Sequence, residues 1–208
     1  MLDSIFRMDY RIIRFINTRM RSQLLDYFNI AVTYLGSDVF ALGVVLALVF
    51  LPQQYFRPFA VQAAVTLIIS TIVVQLLKRI FKRKRPFEQM ESLRSIRIGV
   101  DQFSFPSGHT AAAFALAASM SLLTRGAAIS AGFLFLAFCV GFSRIYLAVH
   151  YPSDVIAGAL IGSFFAILVH LLTPWMLMHL SQSVGRLLWR GIAVCFLPLP
   201  GPIAALLL

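Results

Sequence analysis

The chain has 208 residues, 60% of them hydrophobic and only 12% charged, which is far too apolar for an ordinary soluble domain. Its formal charge of +10 comes from 18 Lys and Arg residues against 8 acids. The basic residues lie at the ends of apolar blocks, where cations meet lipid headgroups, and no nucleic-acid-reading module is recognisable, so the charge does not indicate a nucleic acid partner. Composition therefore predicts an all-α, polytopic transmembrane helical bundle whose partners are the bilayer and its lipids.

The chain begins with a segment, residues 1–23, that we predict to be an amphipathic helix lying in the membrane interface. Arginines recur through it and break the apolar core that a signal peptide requires. Isoleucines at positions 5, 12, 13 and 16 fall near one face of such a helix. The other end, residues 181–208, is apolar and rich in proline, which prevents a regular helix there. The sequence leaves open whether it spans the membrane.

Between these segments, residues 24–180 are predicted to form a transmembrane domain, which gives the chain five to six helical spans. The first apolar block, residues 24–51, is interrupted at Gly36–Ser37–Asp38. Because a charge at the bilayer centre is costly, we expect an interfacial or tilted lead-in through Leu35, followed by a short span that ends before Pro52. Further apolar blocks cover residues 59–77, 107–123, 127–149 and 153–177. Short turns between the last three predict antiparallel neighbours, and Gly158 and Gly162 predict close helix packing.

A hydrophilic segment from Lys78 to Phe105 separates the second and third apolar blocks. Structureless connections of this length are uncommon unless they are functional. The segment is therefore predicted to be a lid or binding loop, and a solvated connector is the alternative. Simple contact with lipid headgroups is what we expect of Arg79, Lys82, Arg83 and Lys84.

Antiparallel spans place several polar residues, far apart in sequence, at one face of the membrane. They are Lys78 and Arg85 after the second block, Ser107, Gly108 and His109 at the start of the third, Arg144 near the end of the fourth, and His150 and Asp154 at the start of the fifth. Cations and histidines that converge in this way are what a phosphate site requires. Ser107 and Gly108 begin a helix whose N-terminal amides favour an anion, although a simple helix cap would explain them if they stood alone.

The spacing of His150 and Asp154 indicates chemistry. Asp154 follows His150 by four residues, so its carboxylate could accept a hydrogen bond from one imidazole nitrogen and leave the other free to attack phosphorus. An acid favoured by the dipole at a helix start is the alternative for Asp154 alone. Among the acids of the chain, no set shows the clustering that a Mg²⁺ site needs.

Three motifs in this sequence match those of one known family. They are Lys78, six residues and Arg85–Pro86; Pro106–Ser107–Gly108–His109; and Ser143–Arg144, five residues, His150, three residues and Asp154. On these motifs, and over roughly residues 24–177, the chain resembles the type 2 phosphatidic acid phosphatase superfamily, with no departure inside the motifs. The resemblance implies a membrane lipid phosphatase that uses neither a metal nor another cofactor.

The resemblance also implies roles for these residues. His150 would attack phosphorus and form a phosphohistidine, Asp154 would orient it, and His109 would protonate the leaving oxygen. The phosphate would be held by Lys78, Arg85, Ser107, Gly108 and Arg144. Phosphatidic acid, phosphatidylglycerol phosphate and polyprenyl diphosphates are the implied substrates. A phosphotransferase or a phosphatase for soluble phosphate esters is an alternative within the superfamily. A non-catalytic lipid-binding scaffold would explain the arginines but not the histidines.

Two arguments disagree on which side of the membrane the site faces. If the first apolar block crosses once, 14 of the 18 Lys and Arg residues lie on the face of the site, namely five in residues 1–23, eight between Lys78 and Arg97, and Arg144. The positive-inside rule then places the site in the cytoplasm. Resemblance to bacterial lipid phosphatases implies instead the outer face of a bacterial cytoplasmic membrane, and catalysis accounts for several of these cations. We expect the outer face.

Overall fold

The computed structural model describes residues 2–50, 57–124 and 126–183. Every regular element in these residues is helical, so the prediction of an all-α fold is confirmed. The helices are α1 (Leu2–Arg19), α2 (Gln23–Thr33), α3 (Asp38–Phe50), α4 (Arg57–Phe81), the short α5 (Pro86–Gln89), α6 (Gly108–Leu123), α7 (Ala127–Tyr146) and α8 (Pro152–Ser183). Most of the predicted C-terminal segment, residues 184–208, lies outside the described residues.

Three helical segments in the described residues are long and apolar enough to cross a membrane, and these candidate spans are Phe59–Gln89, Ala127–Tyr146 and Pro152–Thr173. The pair α2 and α3 would supply a fourth crossing, but it is bent by 55° at the turn that joins its halves. This bend confirms the predicted interruption of the first apolar block. Helix α6 is apolar but has only 16 residues. The count of five to six spans stays a prediction.

Helix α6 lies at the centre of the bundle and packs against α3, α4, α7 and α8. Its contact with α8 is close: a methyl group added at Gly162 would lie 2.3 Å from the carbonyl oxygen of Ala111, and one added at Gly158 would lie 2.5 Å from that of Ser107. Ala115 of α6 is fully buried. The predicted packing through small residues is confirmed. It brings the start of α8 against the start of α6.

Helix α1 packs against α7 and α8 with part of its surface. Ile13 and Ile16 are buried, whereas Ile5 and Ile12 are 41% and 39% exposed. One side of α1 is therefore covered by other helices of the bundle. A position of α1 in the membrane interface stays a prediction.

Candidate active site

A cavity of about 250 Å³ lies where α4 ends and α6 begins. Its lining includes five of the residues that the motifs single out: Lys78, Arg85, Gly108, His109 and His150. They come from the last turn of α4, the loop that follows it, the first turn of α6 and the turn before α8. The fold thus brings both motif histidines and two cations, far apart in sequence, to one cavity.

His150 lies in a tight, buried turn between α7 and α8. Helix α7 ends at Tyr146, before the predicted end of the fourth block at residue 149. Beyond the helix, Ala148 has a φ of +58°, and the carbonyl oxygen of Arg144 accepts hydrogen bonds from the backbone N–H groups of both Val149 and His150, at 3.2 Å each. No residue from 146 to 151 is more than 2% exposed, so packing on all sides holds the imidazole.

The hydrogen bonds of His150 define its tautomer. Its Nε2 lies 3.2 Å from Nη1 of Arg85, which also donates to the carbonyl oxygen of Val149 at 2.8 Å. A guanidinium can only donate, so Nε2 accepts and the ring proton lies on Nδ1. Burial lowers the pKa of His150 well below its ordinary value, and the charges of Arg85 and Arg144 lower it further. The imidazole is therefore neutral at neutral pH, with its lone pair on Nε2.

Asp154 lies beside His150 but does not form the predicted hydrogen bond. Its Oδ2 is 3.5 Å from Nδ1 of His150, and this nitrogen has no hydrogen-bond partner among the described residues. The carboxylate instead accepts hydrogen bonds from the backbone N–H of Tyr151 (2.8 Å), from Oγ of Ser104 and from Nη1 of Arg83 (2.6 Å). Arg83 thus supports the site, and the expectation that it meets only lipid headgroups is wrong.

The predicted phosphate-binding cations pair with a carboxylate to which the sequence assigned no role. Nζ of Lys78 donates to Oδ2 of Asp101 at 2.6 Å, and Nη2 of Arg85 donates to Oδ1 of Asp101 at 2.5 Å. The carbonyl oxygen of Phe103 accepts from the same two groups at 3.3 and 3.0 Å. Partial burial raises the pKa of Asp101, but Lys78 and Arg85 outweigh this effect and hold it below its ordinary value. The paired group is therefore an ionised carboxylate.

Among the described residues, those that line the cavity do not include Ser107 and Arg144, which were also predicted to bind phosphate. Ser107 is the N-cap of α6, as predicted, since its Oγ accepts from the backbone N–H of Thr110 at 3.4 Å. Arg144 is fully buried and donates to Oγ1 of Thr33 (2.7 Å) and to the carbonyl oxygen of Gly99 (3.0 Å). Arg144 therefore fastens the loop in this structure, and a phosphate contact for either residue stays a prediction.

The loop between α4 and α6 covers the site and contacts His109. Gly99 has a φ of +57°, and a methyl group added there would lie 2.7 Å from both Cε1 and Nε2 of the His109 ring. Glycine suits this position for its conformation and for the close contact. The same loop supplies Arg85 and Asp101 to the cavity. It is part of the site and not a solvated connector.

A helical bundle with apolar, membrane-length helices and a cavity lined by two histidines and two cations defines a class of membrane protein suited to hold an anion. A match to a family model identifies the family within this class. Residues 59–177, more than half of the chain, match the PAP2 superfamily. The chain therefore belongs to the PAP2 superfamily and is an integral membrane protein.

Similar proteins come from several bacteria. The crystal structure of Aquifex aeolicus LpxE superposes with a TM-score of 0.66 at 32% identity, covering 77% of this chain and 93% of that one. The undecaprenyl-diphosphatase BcrC of Bacillus subtilis is 29% identical over 156 residues, 74% of this chain and 79% of that protein. The lipid A 1-phosphatase of Rhizobium etli is 36% identical over 107 residues, 50% of this chain and 45% of that protein. The chain spans between a third and a little over half of the length of the first curated relatives it matches.

Proposed function

We propose that the chain is a metal-independent membrane phosphatase that removes phosphate from a lipid phosphate or diphosphate through a phosphohistidine at His150. One observation carries the proposal: His109 and His150 line the same cavity as Lys78 and Arg85. A nucleophile, a proton donor and fixed cations are the groups that phosphoryl transfer needs. The names of its relatives, an undecaprenyl-diphosphatase and a lipid A 1-phosphatase, support a lipid substrate.

In the first step, the Nε2 lone pair of His150 attacks phosphorus, and the bond from phosphorus to the leaving oxygen breaks. Protonated His109 gives its proton to that oxygen, so the lipid leaves as an alcohol, or as a monophosphate when the substrate is a diphosphate. The proton on Nδ1 of His150 stays on the ring, which becomes positively charged once phosphorus is attached. The Asp154 carboxylate, 3.5 Å from this nitrogen, stabilises that charge.

In the second step, water attacks the phosphohistidine and the bond between phosphorus and Nε2 breaks. His109, now neutral, takes a proton from the water, and inorganic phosphate leaves. His150 is again neutral with its proton on Nδ1, and His109 is again protonated. A covalent intermediate thus replaces one difficult displacement with two easier ones.

The substrate phosphate replaces the Asp101 carboxylate as the partner of Lys78 and Arg85. Both anions present oxygens to the same donors, Nζ of Lys78 and Nη2 of Arg85, and two anions in one place repel each other. The Asp101 side chain is 48% exposed, so it can turn toward water when phosphate binds. Gly108 in the first turn of α6 gives the phosphate access to backbone N–H groups.

An apolar cavity of about 200 Å³ offers room for the hydrocarbon tail of the substrate. Its lining comes from α3, α6 and α7 and includes Phe40, Val44, Leu116 and Phe133. Helix α3 connects the two cavities, because Asp38 lines the polar one and Phe40 the apolar one. This neighbourhood of a cationic and an apolar cavity supports a lipid phosphate over a sugar phosphate.

The test is phosphate release by the 208-residue chain in detergent from phosphatidic acid, phosphatidylglycerol phosphate, undecaprenyl diphosphate and a sugar phosphate. We expect turnover of at least one lipid and little turnover of the sugar phosphate. Quenching with radiolabelled substrate should trap an acid-labile, base-stable label on the protein. His150→Gln should lose this label. His170→Gln should keep it, because His170 lies on α8 beside Gln62 and outside the cavity.

Three results would contradict the proposal in different ways. No release from any compound would refute a phosphatase. Faster turnover of the sugar phosphate would refute the lipid preference, and transfer of the label to an added alcohol in place of water would indicate a phosphotransferase.

We further propose that the cavity opens to the outer face of a bacterial cytoplasmic membrane. Ser92 lies in the covering loop and is exposed. Ser92→Cys, in a chain whose Cys139 and Cys195 are replaced by serine, should react with a membrane-impermeant maleimide in intact cells. Reaction only after the cells are lysed would place the cavity on the cytoplasmic side.

A further inference from the structure

Asp9 is a buried acid on the arginine-rich helix α1, only 2% exposed. Its carboxylate accepts hydrogen bonds from the backbone N–H of Ser153 at 2.9 Å, from Oγ of Ser153 at 2.5 Å and from Nη2 of Arg83 at 2.8 Å. Burying a carboxylate is costly unless it is paired and hydrogen-bonded in this way. Helix α1 lies outside residues 59–177, which match the family model. The family match therefore does not account for this contact.

Arg83 connects Asp9 to the start of α8. While Nη2 of Arg83 binds Asp9, its Nη1 donates to Oδ1 of Asp154 at 2.6 Å and to Oγ of Ser153 at 2.7 Å. The guanidinium also lies 4.0 Å from the ring centre of Tyr151, a favourable cation–π contact. A guanidinium is planar and its donors have fixed directions, so these contacts set where the two carboxylates lie relative to each other.

The network ends at the carboxylate that faces His150. Oδ2 of Asp154 lies 3.5 Å from Nδ1 of His150, while Oδ1 of Asp154 is occupied by Arg83. Ser104 adds a second link, because its Oγ donates to Oδ2 of Asp154 and its backbone N–H donates to the carbonyl oxygen of Arg83 at 2.8 Å. With both oxygens held, the carboxylate cannot rotate away from the imidazole.

From this network we infer that Arg83 and Asp9 are positioning residues for the reaction, which hold Asp154 against His150 and make α1 a functional part of the site. The inference rests on the proposed phosphohistidine mechanism. Neither Arg83 nor Asp9 is among the described residues that line the cavity, so both act through Asp154. Because the His150 ring gains charge as Nε2 bonds to phosphorus, their effect falls on the chemical step and not on phosphate binding.

Three variants test the network in the 208-residue chain, assayed on the lipid that the wild type turns over fastest. Arg83→Gln should lower kcat by about 10- to 100-fold and leave KM nearly unchanged, because Asp154 loses the guanidinium that holds it beside His150. Arg83→Lys keeps the charge but not the planar fork, so it should restore part of the lost kcat. Asp9→Asn should lower kcat by about 3- to 10-fold, because Arg83 keeps its direct contact with Asp154.

Further comparisons separate positioning from simple docking of α1. Lys84→Gln removes a cation from an exposed position beside Arg83 and should leave both kcat and KM unchanged. The double variant Arg83→Gln with Asp9→Asn should be no slower than Arg83→Gln alone, because both residues act on the same carboxylate. In rapid-quench experiments, the rate of phosphohistidine formation should fall in parallel with kcat.

An unchanged kcat in Arg83→Gln, or an equal loss in Lys84→Gln, would overturn the inference. An Arg83→Gln variant that is less stable to heat but keeps the wild-type kcat would also overturn it. If Arg83→Gln does not fold, the Asp9→Asn variant provides the test. A wild-type kcat in Asp9→Asn would overturn the inference, and slower phosphohistidine formation in this variant would support it. Failure of the proposed function is distinguishable, because phosphate release then either is absent in the wild type or survives in His150→Ala.

Discussion

The turn that carries His150 and the loop that covers it hold their polar groups in different ways. From residue 146 to residue 151, no residue is more than 2% exposed, and packing and backbone hydrogen bonds fix the imidazole. In the loop, the half-exposed side chain of Asp101 pairs with Lys78 and Arg85. The proposed nucleophile is thus fixed by the fold, whereas the cations pair with a half-exposed carboxylate, which we propose that phosphate replaces.

This difference has a physical reason. A nucleophile must be held in one orientation, and a small misplacement costs much of the rate, so a fully packed turn suits it. Lys78 and Arg85 are only 4% and 1% exposed, and buried cations without an anion are strongly unfavourable. Asp101 balances their charge while its side chain remains accessible to water.

The largest effect should come from the buried turn. His150→Ala should lower kcat by about 10⁴-fold or more, because it removes the atom that bonds to phosphorus. His170→Ala, which removes an imidazole outside the cavity, should leave phosphate release unchanged. Thermal unfolding of both variants in the same detergent controls for folding. Near-wild-type release by His150→Ala would refute the role of His150.

A smaller loss of kcat is expected at His109, where the loop contacts α6. His109→Ala should lower kcat by about 10²- to 10⁴-fold on alkyl phosphates, the usual contribution of a general acid. On an aryl phosphate such as p-nitrophenyl phosphate, the loss should be less than about tenfold, because this leaving group hardly needs a proton. Equal losses on the two substrates would contradict the acid role.

A substitution in the loop should change the KM for substrate. Asp101→Asn keeps the shape of the side chain but removes the competing charge, so KM for the lipid phosphate should fall by about 3- to 10-fold. Glu91→Gln, at an exposed position of the same loop, is the matched control and should leave KM unchanged. A higher KM in Asp101→Asn would show that the carboxylate orders the cations and does not compete with phosphate.

The effect of Asp101→Asn on KM should not depend on pH near neutrality. The lowered pKa of Asp101 keeps its carboxylate ionised even at pH values below its ordinary titration range, so the competition persists at neutral pH and weakens only in strong acid. The KM ratio of wild type to Asp101→Asn should therefore stay constant from about pH 5 to about pH 8. A ratio that falls toward one within this interval would mean that another charge competes.

The smallest effect is expected from chelation. EDTA should leave turnover unchanged, because fixed cations line the cavity and stabilise phosphoryl charge as a metal ion would. In the part of the chain that the structure describes, no group of three or more His, Cys, Asp or Glu residues is placed to hold a metal ion. Inhibition by EDTA that Mg²⁺ reverses would contradict the assignment.

Local patterns predicted those features that depend on neighbouring residues. The N-cap at Ser107, the break between α2 and α3 and the close approach at Gly158 and Gly162 all follow from short-range spacing, and the structure confirms them. The contacts that hold the site residues in place could not be predicted from local patterns. Arg83 was one of several similar basic residues, and its partner Asp9 lies 74 positions away. A weak signal existed, since Asp9 is an acid within an arginine-rich helix.

The sequence alone predicts a helical membrane protein, the break in its first apolar block and a set of candidate site residues, because hydropathy and motif spacing are properties of short segments. The folded chain was needed to show that Arg144 fastens the loop, that Asp101 pairs with both cations, and that Arg83 joins Asp9 to Asp154. Such pairs form where the loop between α4 and α6 approaches residues from other parts of the chain. The distance of that approach depends on contacts throughout the bundle, which no local pattern specifies.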